Sequence, residues 1–231
     1  MAFTPRQPLH TPVLLVIFNR PEITQIVFEA IRKAQPPRLY VAADGPRPDV
    51  TSDQIKCKEA REIIRQVDWD CEVKTLFRDK GLGCGLGPSL AFTWFFEHEE
   101  AGIILEDDCL PSQSFFWFCQ DLLERYRDDT RVMHIGGNNF LNGWQKDRNY
   151  SYYFSNSGHI WGWATWRRAW KMFDFNISLY NKLKDKNYFD KFFLNPIEKI
   201  YRLRKFDKTV TGDKVSWWDY QWDFARYINS G

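Results

Sequence analysis

From residue 13 to residue 135 the chain repeats one alternation. A short apolar run that reads as a buried strand is followed by a longer segment with apolar residues three and four apart. The run at 13–18 (VLLVIF) ends at Asn19-Arg20-Pro21. Pro21 suits a first helical turn, with acidic Glu22 beside it. Ile23, Ile26, Val27, Ala30 and Ile31 then keep helical spacing up to the stop at Pro36-Pro37. A second strand, 38–43, ends at Asp44-Gly45, and an amphipathic helix follows over 53–67. A third strand, 71–77, leads through Arg78 to the glycine-rich stretch 81–87, which opens a helix over 88–98. A fourth strand, 102–105, runs into Glu106-Asp107-Asp108; a helix over 114–126 and a fifth strand at 132–135 complete the series. Repeated units of this length predict an α/β fold: an open, twisted, Rossmann-like sheet, mainly parallel, with helices on both faces and right-handed crossovers. Ligands bind such sheets at the carboxyl ends of their strands. Asn19, Arg20, Asp44, Arg78 and Glu106 to Asp108 each follow a predicted strand, so the fold brings four distant points of the sequence to one rim.

After residue 140 the pattern changes to Asn-, Tyr- and Trp-rich sequence. Strand-like runs are expected at 152–155 and 159–163, and helices at 164–172, 180–193 and 196–203. With no linker between the parts, the 231 residues read as a single domain. Residues 1–140 form its nucleotide-binding half, and 141–231 a half for the second substrate. A helical pattern (Trp218, Trp222, Ala225, Ile228) is still running where the sequence ends, which predicts that the natural chain continues.

Composition removes several classes. Lys plus Arg number 32 against 30 Asp plus Glu, a balance that argues against a nucleic-acid binder. The longest apolar run is far short of a membrane span, and residues 1–12 hold no apolar signal-like stretch. Five cysteines, without a CxxC pair, read as reduced thiols of a cytoplasmic protein. Residues 182–208 hold nine Lys/Arg and four Asp/Glu among Tyr and Phe. They read either as a solvated helical face or as a peripheral contact with anionic lipid at the inner membrane face.

Three carboxylates in a row, Glu106-Asp107-Asp108, repel one another unless a cation offsets them. Hard oxygen ligands select Mn²⁺ or Mg²⁺; a solvated acidic turn or a helix cap is the plainer reading. The glycine run fails both phosphate-loop patterns: position 86 is Leu86, and Lys80 precedes the glycines. What it offers is a turn into a helix N-terminus, open to a phosphate or a ribose. In the stretch 161–170, Trp161 and Trp163 read as walls of a pocket, Trp166 and Trp170 as core residues on one helix face, and Arg167 and Arg168 as surface residues or phosphate partners. Asp219 sits among Trp217, Trp218 and Trp222, either as a cap or first-turn residue of the last helix or as a carboxylate whose apolar surroundings suit a general base.

Asn19-Arg20-Pro21, Asp44-Gly45, Glu106-Asp107-Asp108 and Trp218-Asp219, in that order over residues 12–228, resemble the GT-A fold glycosyltransferases. The likeness is greatest to the N-acetylglucosaminyltransferase I family and related bacterial nucleotide-sugar transferases. The resemblance implies a nucleotide-sugar donor, specifically a UDP-sugar, a divalent Mn²⁺ or Mg²⁺, and a glycan or lipid-linked acceptor. It implies that Arg20 and Asp44 meet the uracil and diphosphate, that Glu106 and Asp107 touch sugar and ribose, and that Asp108 ligates the metal. Asn19, Pro21, Arg78 and Gly81 would complete the donor site. Asp219 would deprotonate the acceptor hydroxyl in an inverting displacement, and Trp161, Trp163 and Trp218 would lie near sugar or acceptor. Two rivals stay open: a binding module of the same fold without turnover, and a nucleotidyltransferase that uses Lys80 in the glycine loop.

Overall fold

A computed structural model of the chain describes residues 3–140, 147, 149–193, 195–212 and 215–229. Six strands form one mixed, open sheet: β1 (Val13–Ile17), β2 (Arg38–Ala43), β3 (Glu72–Phe77), β4 (Ala101–Glu106), β5 (Ile135–Gly136) and β6 (Trp163–Trp166), in the order β3-β2-β1-β4-β6-β5. The first four are parallel; β6 runs antiparallel to both β4 and β5. The helices are α1 (Pro21–Ala34), α2 (Thr51–Glu62), α3 (Gly83–His98), α4 (Gln113–Arg125), α5 (Arg167–Trp170), α6 (Tyr180–Asp185), α7 (Pro196–Thr211) and α8 (Asp219–Ile228).

Strands β1, β2 and β4 are buried on both faces, because successive side chains point to opposite sides and helices cover each, whereas the edge strand β3 is largely exposed. Val13, Leu15, Ile17, Val41 and Ile103 pack under α1 and α4 in one core. Leu14, Tyr40, Ala42 and Ile104 face the other way, under Phe92 and Phe95 of α3 and Trp222 of α8. A third core is almost wholly aromatic and lies between α6, α7 and α8, with Tyr180, Phe206, Phe224 and Tyr227 in contact. Helix α8 joins the last two: Trp222 and Ala225 turn to the sheet, Phe224 and Tyr227 to the third core.

The second half departs from its sequence pattern. No strand forms at 152–155, and the fifth strand shrinks to Ile135–Gly136. The stretch expected to be helical from 164 begins as β6, whose backbone pairs with β4. Trp166 and Trp170 are both buried, but they enter opposite cores instead of sharing a helix face. The helix expected over 180–193 breaks after Asp185, where Asn187 takes a left-handed conformation (φ 53°), and a single 3-10 turn follows. Helix α7 outruns its expected end and reaches Thr211.

Candidate functional site

The rim forms because the four parallel strands β1 to β4 end on the same side of the sheet. Arg20, the residue before α1, turns back over the carboxyl end of β4. Its guanidinium forms an ion pair with Asp107 and donates to Asp108 Oδ2 at 3.0 Å. Asp107 is buried and also accepts the Phe18 backbone N–H at 3.3 Å. Burial pushes its carboxyl up, with Arg20 pulling it back. None of the three acids caps α4, whose N-cap position is Ser112. Glu106 is pushed up to about 7, by burial first and then by the charges of Asp108 and Asp107; Asp219 adds to the same effect. The N-terminus of α8 therefore bears electrostatically on the end of β4.

Asp44 takes a structural part that its position after a strand did not announce. Its carboxylate accepts the backbone N–H of Leu82 at 2.9 Å and that of Gly83 at 3.0 Å. This cap from outside the helix starts α3 at Gly83, five residues before the expected start, in a stretch whose glycines are poor helix formers. Gly83 holds φ 82°, a conformation that favours glycine. Two of the amide groups at this helix end, those of Leu82 and Gly83, are thus already used by Asp44, which leaves fewer donors there for a phosphate or a ribose. Gly81 lies beside it, its N–H bonded to Pro46 O at 3.3 Å.

The same turn fixes α8. A side chain on Gly85 would stand 2.7 Å from Val215 O, so only glycine lets the approach to α8 lie against α3. The Cys84 thiol donates to Ser216 O at 2.8 Å. Asp219 follows as the first residue of α8, with Trp218 in the cap position and no side-chain cap bond, so Asp219 is a first-turn acid and not the cap. Burial, then the neighbouring charge of Asp223, raises its carboxyl above the ordinary value.

Arg78, at the end of β3, is half-buried and makes no ion pair among the described residues; burial lowers its pKa, with Asp44 as its opposing charge. A guanidinium in that state favours an incoming anion. Asn19 faces elsewhere. It donates to Asp53 Oδ1 at 2.7 Å, and Arg47 Nε donates to Asp53 Oδ2 at 2.6 Å. These bonds hold the buried Asp53 carboxyl well below the usual range, Arg47 first among the causes. Asp53 had shown only as a helix start, and no spacing linked it to Asn19. Arg61 was also missed: it donates to Asp44 O at 3.1 Å and Arg78 O at 2.5 Å, tying the ends of β2 and β3. Pro21 occupies the first position of α1.

The tryptophans divide. Trp161 is 62% exposed and, with Asp108, Ser112 and Asn138, lines a pocket of about 550 Å³. Trp163 and Trp218 are core residues and not pocket walls: both are buried, and their rings stack at 5.5 Å. Trp163 begins β6, which turns its ring onto α3 and α8. Arg167 and Arg168 are both engaged within the protein. Arg167 pairs with Glu100 at 2.6 Å, and Arg168 donates to the carbonyls of Tyr126, Arg127, Asp129 and Val132.

Among the described residues no group of three His, Cys, Asp or Glu side chains is placed to hold a metal. The rim offers instead one half-exposed carboxylate, Asp108, whose Oδ1 has only a weak Cys109 thiol contact at 3.7 Å. That donor set fits a hard cation that takes one carboxylate and finds its other ligands in water and phosphate oxygens. Compared with known proteins, the chain matches no family model and no curated sequence. No helix among the described residues is long and apolar enough to cross a membrane.

Proposed function

We propose that this protein is a metal-dependent, inverting glycosyltransferase of GT-A type that moves a sugar from a nucleotide-sugar, a UDP-sugar in our reading, to an acceptor hydroxyl. The observation that carries the reading is the meeting of opposite chemistries on one rim. An Arg20–Asp107–Asp108 cluster and a half-buried, unpaired Arg78 lie at the strand ends, and Asp219 reaches Glu106 with its charge.

In this mechanism Arg20 holds Asp107 and Asp108 in place, and Arg78 meets the donor's negative charge. Asp108 would hold Mn²⁺ or Mg²⁺, which would supply positive charge to offset the departing diphosphate, and Glu106 would lie toward the donor sugar and ribose. The acceptor oxygen forms a bond to the anomeric carbon as the bond to the diphosphate oxygen breaks, and the acceptor proton passes to an Asp219 carboxylate oxygen. A carboxyl raised by burial is a stronger base than a solvated one. The partly occupied N-terminus of α3 weighs against the nucleotidyltransferase rival, which needs that loop for a triphosphate. Two features of the basic segment bear on membrane contact. Ile197, Ile200 and Tyr201 form an exposed stripe on α7, while Lys184 and Lys199 of the basic segment are paired with Asp207 and Asp190.

Calorimetry of UDP binding tests the proposal. UDP binds more tightly with Mn²⁺ or Mg²⁺ than without, and Asp108→Ala removes the difference. Equal affinity with and without metal in the unchanged protein overturns it. Product analysis separates the rivals: a transferase releases nucleoside diphosphate, a nucleotidyltransferase pyrophosphate, and a binding module neither.

A further inference from the structure

A cleft of about 600 Å³ lies between α4 and the segment 150–159, beside the pocket that holds Asp108 and Trp161; Ser112, Phe115, Gly137 and Asn138 line both. Its chemistry is one-sided. The basic side chains on its described lining are Arg131, Arg226, His134 and His159, and that lining includes no Asp or Glu. Arg226 is 3% exposed. It forms an ion pair with Asp223, but Asp223 is divided between Arg226 and Arg202, and the Arg226 Nε has no partner. Burial, then the charge of Arg226, drives His134 down to about 3, so the imidazole is neutral beside that guanidinium. Arg131, at the surface, pairs with Asp129 at 2.7 Å. Among the described residues the one carboxylate paired with this buried guanidinium is shared, which leaves its charge incompletely offset, and an anion in the cleft would complete its pairing.

The rest of the lining consists of rings and neutral hydrogen-bonding groups. Tyr150 and Phe154 are each 63% exposed, Tyr152 and Tyr126 meet through their hydroxyls at 2.7 Å, and serines 112, 114, 151 and 155 stand among them. Exposed flat rings with hydroxyl and amide partners suit the faces and edges of sugar rings better than they suit a peptide's apolar side chains.

We infer that this cleft binds a sugar chain carrying an acidic group, carboxylate or phosphate, read by Arg226. Resting on the proposed transferase, this names the acceptor class: an acidic oligosaccharide lying in the cleft with its growing end toward Asp108. The test uses the whole chain with trigalacturonate, a 6-phosphorylated maltotriose and plain maltotriose as probes, without nucleotide or metal. At least one acidic probe binds about tenfold or more tightly than maltotriose, and the better of the two tells carboxylate from phosphate. Arg226→Gln weakens that binding about tenfold or more, the scale of a lost charged hydrogen bond. Because Arg226 is buried, two further variants keep the test open. Arg131→Gln weakens acidic binding by a few-fold at most, as a surface charge should. Gly158→Ala places a methyl 2.7 Å from His134 and 3.0 Å from Arg226, and lowers binding without changing any charge. Equal binding of acidic and neutral probes, or no binding of either, in a protein that binds UDP with metal overturns the inference and leaves the transferase reading intact. Acidic binding without UDP binding supports the cleft and overturns that reading.

Discussion

The two halves of the molecule are held together by different kinds of core. Under α1 and α4 the sheet is packed with Val, Leu and Ile from alternating strand positions. Between α6, α7 and α8 the core is six aromatic residues and one Ile177. In the first half, a residue's place in the strand–helix repeat is enough to put it at the rim. In the second, rings of one type are used for every purpose, and only tertiary packing separates them. Trp161 and Trp163, two residues apart, make the point: one lines a pocket at 62% exposure and the other is sealed against Phe92, Trp170, Trp218 and Trp222.

The widest break in this comparison is Asp219, the second half's one contribution to the chemistry proposed for the rim. Asn is a poor proton acceptor but keeps the shape, and no side-chain cap bond is lost. Asp219→Asn is expected to lower sugar transfer about 10²–10⁴-fold. It should bind UDP with metal as the parent does and melt within a few degrees of it. Nucleoside diphosphate release at near-parent rate would leave Asp219 a structural residue.

Next in size is the contrast between the two tryptophans. Trp163→Ala is expected to cost about 3–5 kcal/mol, the range for removing a large buried ring. Trp161→Ala should stay within about 0.5 kcal/mol, as exposed substitutions do. Urea unfolding of both variants checks this, and similar losses would mean that the pocket wall and the core have been wrongly divided.

How much of this was legible follows the same division. The first four strands and the rim positions of Arg20, Asp44, Arg78 and Glu106 to Asp108 come from apolar periodicity and from where each run stops. What they bond to does not. Asn19 meets Asp53, 34 positions away, and Arg61 spans two strand ends, through contacts that exist only once the sheet has formed. The early start of α3 was hidden for the same reason, since its cap comes from β2. In the second half the strand-like run expected at 159–163 is strand only at Trp163, and the rest of β6, Ala164 to Trp166, was read as helix because Trp and Ala at short spacing suit either state. Pairing of Gly102 with Thr165 and of Ile104 with Trp163 decides it.

Glu106 gives a smaller test through pH. Its folded-state value of about 7 lies above the ordinary 4.5, so the folded chain holds this proton more tightly than the unfolded one. That contribution is complete below about pH 4.5 and is lost as pH rises through about 7. Glu106→Gln is therefore expected to match the parent near pH 4 and to be more stable at pH 8, by about 1–3 kcal/mol. Denaturant titrations at the two pH values measure it; a variant less stable at pH 8 would show that the charged carboxylate has a partner. UDP with Mn²⁺ should shrink the difference, because a cation at Asp108 offsets the same repulsion.

The smallest effect concerns Asp44, where the first half holds the second. Its carboxylate caps α3, and α3 carries Gly85 and Cys84, on which the approach to Asp219 rests. Asp44→Ala removes the cap and is expected to cost about 0.5–2 kcal/mol, whereas Asn caps as well as Asp does, so Asp44→Asn should cost only a few tenths. Nucleotide binding tells whether the cap is the whole role. If Asp44 also meets the donor base, both variants weaken UDP, with Ala losing about 1–3 kcal/mol for the unpaired group. If it acts only through α3, Asn binds UDP as the parent does. Because the α3 turn also positions α8, Asp44→Ala should lower transfer even at saturating donor. A variant that lost UDP affinity but kept its full rate under saturation would separate the two halves that this carboxylate joins.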